Sequence, residues 1–159
     1  MRRLLITLLL ITAAATVPGA ALVTAASETR ETMIQVTIQV DDKAFEALLS
    51  DHDAARALAQ QLPMTVNMKE LNGNEKYYDL PAPLPESAEQ IGEIHAGDLM
   101  LFGSDCLVLF YEDFDTAYRY TRLGAVQDPS GLAQALGRGD VTVTFFLADR
   151  AGGGPPGGP

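Results

Sequence analysis

AGDLMLFGSDCLVLFYEDFDTAYRYTRLG, Ala96 to Gly124, is the stretch whose reading decides the fold. It holds two nearly unbroken apolar runs, Leu99–Phe102 and Cys106–Tyr111, on either side of a polar Gly103–Asp105 turn. Short apolar runs bounded by turn residues read as buried strands. A third run, Tyr118–Gly124, brings aromatic and cationic side chains together. These runs predict the centre of a small β-barrel and one wall of its candidate site. The chain apolar on both faces at Leu107–Phe110 implies the barrel interior on one side and a covering helix on the other.

On the N-terminal side, Ile34, Val36, Ile38 and Val40 alternate with Gln35, Thr37 and Gln39, the pattern of a half-buried strand. Asp41-Asp42 supplies a turn and Lys43–Leu49 returns as its hairpin partner. Ser50 and Asp53 have capping-box spacing ahead of a short helix, Asp53 to about Gln61, which Pro63 ends. Met64–Met68 and Lys76–Leu80 are strands joined by the polar turn around Asn72-Gly73-Asn74, where a positive φ suits Gly73. Pro81, Pro83 and Pro85 mark an extended loop, because proline cannot sit in a central strand. Ile91–Ile94 reads as a brief edge strand.

On the C-terminal side, Asp128 suits a cap, Pro129 the first helical position and Gly137 the position past the end. Val141–Leu147, VTVTFFL, is a final strand. About eight strands and two short helices predict a mainly β, closed antiparallel barrel over residues 33–147. Residues 148–159, rich in Gly and Pro, read as a disordered tail.

The first 26 residues read as a signal peptide. Arg2 and Arg3 precede Leu4–Ala26, which carries no charge, and small residues lead to cleavage after Ala25 or Ala26. Export to the periplasm or medium follows. The rival reading keeps residues 4–26 as a membrane anchor, since the segment is long enough to span a bilayer. The formal charge of −10 disfavours nucleic-acid partners, because phosphate repels an acidic surface. The one cysteine, Cys106, forms no intrachain disulfide, and its apolar run points to a buried, inert thiol. His52 and His95 show no metal-ligand spacing with it, so no metal is expected. Gly92, Gly97, Gly103 and Gly124 read as isolated turn glycines rather than a phosphate loop, and no cofactor is expected.

The segments LNGNEKYYDLP (71–81), AGDLMLFG (96–103), CLVLFYEDFDTAYRYTRLG (106–124) and DPSGLAQALGRGDVTVTF (128–145) occur in an order that resembles the bacterial cyclophilin-like fold domains. The resemblance implies a cyclophilin-type eight-stranded barrel capped by two helices, and no established activity. Prolyl isomerases of the cyclophilin family use an Arg, a Phe-Met-x-Gln segment and a Trp or His at the proline pocket. This chain has no Trp and no such segment, and Arg122 is the one tempting analogue. Fold alone does not carry that activity.

Strand spacing puts Tyr118, Tyr120 and Arg122 on one face. An arginine beside tyrosines can fork onto a carboxylate and stack a planar group. With Tyr77, Tyr78, Asn72 and Glu75 they form the candidate ligand-binding set, for a peptide or a small carboxylate. The structural alternative pairs Arg122 with Glu75 or Glu70 and leaves the tyrosines to close a barrel end. Glu112, Asp113 and Asp115 read as a solvated loop, with Phe114 folding back as a lid or plug. No nucleophile elbow is present. The residues therefore point to a non-catalytic ligand- or peptide-binding module, with a weak prolyl isomerase or a structural docking domain as alternatives.

Overall fold

The structure, a computed structural model, describes residues 33–148. The expected signal peptide, or anchor, and all of the expected tail except Ala148 lie outside the described residues. The elements run β1 (Ile34–Val40), β2 (Lys43–Leu49), α1 (Asp53–Gln60), β3 (Met64–Leu71), β4 (Glu75–Asp79), β5 (Glu89–Ile94), β6 (Asp98–Phe102), β7 (Cys106–Phe110), β8 (Phe114–Val126), α2 (Leu132–Leu136) and β9 (Val141–Leu147). No helix among the described residues is long and apolar enough to cross a membrane.

Eight strands close a ring in the order β1, β9, β3, β4, β7, β6, β8, β2 and back to β1, every pairing antiparallel. Closure hides the edges of these strands. β5 is a ninth strand outside the ring. It pairs only with β8, over Phe114–Tyr120, and makes a two-stranded ribbon.

The seam where the ring closes is β2 on β8, with Leu49 opposite Gly124. A Cβ on Gly124 would stand 2.1 Å from the Leu48 carbonyl oxygen and 2.7 Å from Leu49 Cα. Real Cβ atoms do not approach backbone that closely, so only glycine lets the two strands meet. Gly124 is thus a closure residue inside a strand, not a turn glycine. Gly92 likewise lies within β5, at the irregularity in its register with β8.

Leu71 pairs with Glu75, so three residues join β3 to β4, and Asn72 and Gly73 among them are left-handed, with φ of 57° and 73°. α1 starts differently from expectation. Ser50 still belongs to the seam, its N–H donating to the Leu123 carbonyl at 2.9 Å. The cap is His52, whose Nδ1 accepts from the Ala55 N–H at 3.4 Å. Its Nε2 then carries the proton and lies 2.6 Å from the Arg122 carbonyl oxygen, tying the helix to β8. At α2, Asp128 caps the preceding turn through the Ser130 N–H at 3.0 Å, and the helix begins at Leu132.

The barrel interior collects Val36, Ile38, Val40, Phe45, Leu49, Met68, Leu99, Leu101, Leu107, Leu109, Leu123, Val143 and Phe145, with Leu58 of α1 and Leu132 and Leu136 of α2 packed into it. The opposite face of β6 and β7 carries a second cluster: Met100, Val108, Phe110, Tyr120 and Ile94. Its cover is the β5–β8 ribbon. Among the described residues no helix covers this face as the apolar run had suggested, because α1 and α2 pack into the interior cluster instead.

Candidate functional site

The second cluster opens into a cleft of about 440 Å³. Its floor is Val108 and Cys106 on β7 and Tyr77 on β4, and its walls are Phe102, Phe114, Tyr118 and Tyr120. The Asn-Gly hairpin tip brings Leu71, Asn72, Asn74 and Glu75 to the rim. The rings are mutually packed: Phe102 lies 5.5 Å from Tyr120 and 6.1 Å from Tyr118, and Phe110 lies 5.5 Å from Tyr120 and 5.6 Å from Phe114. Offset and edge-to-face pairs of this kind hold rings in place while leaving other faces free for a ligand. Tyr118 remains 66% exposed and Phe102 46%, so apolar surface is presented to solvent here.

Polar chemistry in the cleft comes from the rim. Glu75 pairs with Leu71 on one side and Phe110 on the other. Burial, and then the neighbouring Glu70 carboxylate, push its carboxyl above the ordinary value. It makes no ion pair among the described residues. Asn74 Oδ1 is buried without a hydrogen-bond donor. Burial and then the Glu75 charge push the Tyr120 hydroxyl up to about 12. Cys106 lies half-buried on the cleft rather than in the core, and burial followed by Asp79 pushes its thiol up to about 11. Burial and the neighbouring acids disfavour the thiolate that a nucleophilic cysteine requires.

Tyr118, Tyr120, Tyr77, Asn72 and Glu75 of the candidate set therefore meet. Two do not join them. Tyr78 is next to Tyr77 on a strand, so it faces the other way and packs against the interior cluster. Arg122 shares a strand face with Tyr118, but four residues of strand separate their Cα atoms by about 13 Å. It lies in a different hollow with His52, Pro85, Glu86 and Glu89. There it pairs with Glu89 at 3.3 Å, not with Glu75 or Glu70 as the structural alternative had it. Residues missed at the sequence level are Phe102, Cys106 and Val108, while Phe114, read as a lid or plug, packs on Phe110 and walls the cleft. The alternation along β7 marks Val108 as facing away from Leu107 and Leu109, but which face bears a cleft is set by where the β5–β8 ribbon folds.

Glu70 serves another purpose. Lys76 alternates with Glu75 and Tyr77, points into the barrel and is fully buried. Its ammonium donates to Glu70 Oε2, to the Gly137 carbonyl at 2.8 Å and to the Gly139 carbonyl at 2.7 Å. Tyr111 donates its hydroxyl to Glu70 at 2.8 Å, with Lys76 Nζ 5.2 Å from its ring centre. This network bolts the end of α2 to the β3–β4 hairpin. Among the described residues no group of three His, Cys, Asp or Glu side chains is placed to hold a metal ion.

The family is decided by the match of this strand order along the chain. The Cyclophilin-like family model matches residues 38–146, from β1 into β9. The chain belongs to the cyclophilin-like family. Among solved structures, this cyclophilin-like domain is similar to the solution structure of a hypothetical protein from Archaeoglobus fulgidus, with a TM-score of 0.56 and 14% identity over 76% of this chain and 99% of the other. At that identity the likeness concerns the fold. No curated protein matches.

Proposed function

We propose that this cyclophilin-like domain is a non-catalytic binding module, acting after export, that holds a small ligand or a short peptide segment in the cleft between the barrel and the β5–β8 ribbon. The observation that carries the reading is the convergence of Tyr77, Phe102, Phe114, Tyr118 and Tyr120 on one hollow whose rim bears Asn72, Asn74 and Glu75. An apolar hollow with a few convergent polar groups is the usual form of a ligand site. Arg122 lies outside it, so neither a forked carboxylate contact nor the arginine expected of a prolyl isomerase is supplied to the cleft. The test is a fragment and peptide screen followed by amide NMR, with the chain labelled with ¹⁵N. Ligands should shift the amides of Glu75, Val108 and Tyr118. Hits confined to the Arg122 hollow, or no hits, would reject the cleft as the site.

A further inference from the structure

We infer that the cleft selects an organic cation, a ligand that carries an ammonium or guanidinium group on an apolar stem, seated against the tyrosine and phenylalanine rings with Glu75 as counter-ion. The inference rests on the cleft being the binding site and adds the class of ligand.

Charge complementarity gives the first argument. The ionisable lining residues outside the tyrosines and Cys106 are Glu75 and Asp115, and no lysine or arginine lines the cleft. An anionic ligand would meet repulsion there, and a neutral one would leave Glu75 unpaired. Glu75 is half-buried between the hairpin tip and Phe110, where water screens it less than at the open surface. The remaining rim groups, Asn72 and Asn74, bring carbonyl oxygens, and the buried Asn74 Oδ1 has no donor among the described residues. The lining offers neutral donors from its tyrosines, Thr116 and the asparagine amides but no cationic one, and an ammonium or guanidinium brings charged donors to Glu75.

The rings give the second argument. The face of a tyrosine or phenylalanine ring attracts a cation, most strongly where water is partly excluded. The apolar floor of Val108 and the Cys106 side chain would cover the methylene stem of such a ligand. The net charge of −10 also draws cations toward the surface.

Three probes of matched length separate the terms: hexylammonium, 1-hexanol and hexanoate, titrated into the chain with amide NMR as the readout. The cation should bind about ten-fold more tightly than the alcohol, and hexanoate more weakly than either. Glu75→Gln should remove the preference for the cation, bringing its affinity level with that of hexanol. Tyr118→Ala, at a ring 66% exposed, should weaken the cation about five-fold. If hexanol and the cation bind alike, or Glu75→Gln changes nothing, the cation inference falls while the cleft reading stands. If no probe moves the cleft amides, the cleft reading itself fails. The source of the cation is separated by comparing hexylamine with the peptide acetyl-Leu-Lys-Leu-amide. Tighter peptide binding assigns a protein side chain, and tighter amine binding a small molecule.

Discussion

Glu70 and Glu75 flank one Asn-Gly turn and are pushed in opposite directions. Burial raises the Glu70 carboxyl, but Lys76, Tyr111 and the Gly73 N–H outweigh it and hold the group below its ordinary value. Glu75 has no such partners and stays above its ordinary value. The signs of their contributions follow by linkage. Glu70 contributes stability that is fully present above the ordinary carboxylate range and is lost as pH falls through it toward the depressed folded value. Glu75 costs stability above its raised value, and the cost disappears as pH falls to the ordinary range. Glu75→Gln should therefore raise Tm at neutral pH by about 2 °C, since water screens a half-exposed carboxylate and keeps the gain small. The gain should vanish below pH 4, as a calorimetric pH series would show. Glu70→Gln should flatten the acid limb of that series in part, since Asp128 and Asp140 are also held below their ordinary values. The substitution strands a fully buried ammonium, so urea unfolding should show a loss of about 3 kcal/mol. Lys76→Met should cost less, because Glu70 retains Tyr111 and some contact with water.

At the scale of elements, the barrel depends on the close approach of β2 and β8. Gly124→Ala forces a methyl group into the Leu48 carbonyl and must part the seam. A loss of about 3 kcal/mol or more is expected. Hydrogen exchange should report the damage first at the Ser50 and Gln127 amides, which donate across the β2–β8 seam. A small effect with unchanged protection there would show that the seam can relax. Strand and helix positions were readable from period-two alternation and turn residues, as β1, β2 and the Asn72-Gly73 hairpin show. Gly124 was not readable as a closure residue, because its constraint comes from backbone far away in sequence. The same holds for His52: capping-box spacing favoured Ser50, and the pull of the seam on Ser50 moved the cap.

For the whole molecule, the ring joins the first described strand to the last, β1 to β9, and among the described strands only β5, paired to β8, stands outside. Pairings between distant segments must wait for large loops to close, so refolding should be single-exponential and take on the order of milliseconds to seconds. Tyrosine fluorescence in stopped flow can follow it, since the chain has no tryptophan. Microsecond refolding would mean that local hairpins, not ring closure, limit the rate.

A closed β-barrel with two short helices is legible in the residues alone, because alternation and turn chemistry are local properties and the order of the segments resembles one family. The sequence also marked Tyr77, Tyr118, Tyr120, Asn72 and Glu75 as worth joining. Only the tertiary structure decided that Tyr78 faces inward, that Arg122 turns to Glu89, and that Phe102 and Phe114 complete the cleft. Side-chain spacing tells which residues share a strand face, but a cleft also needs something folded over that face. Here that is the β5–β8 ribbon, whose position depends on contacts between segments distant in the chain.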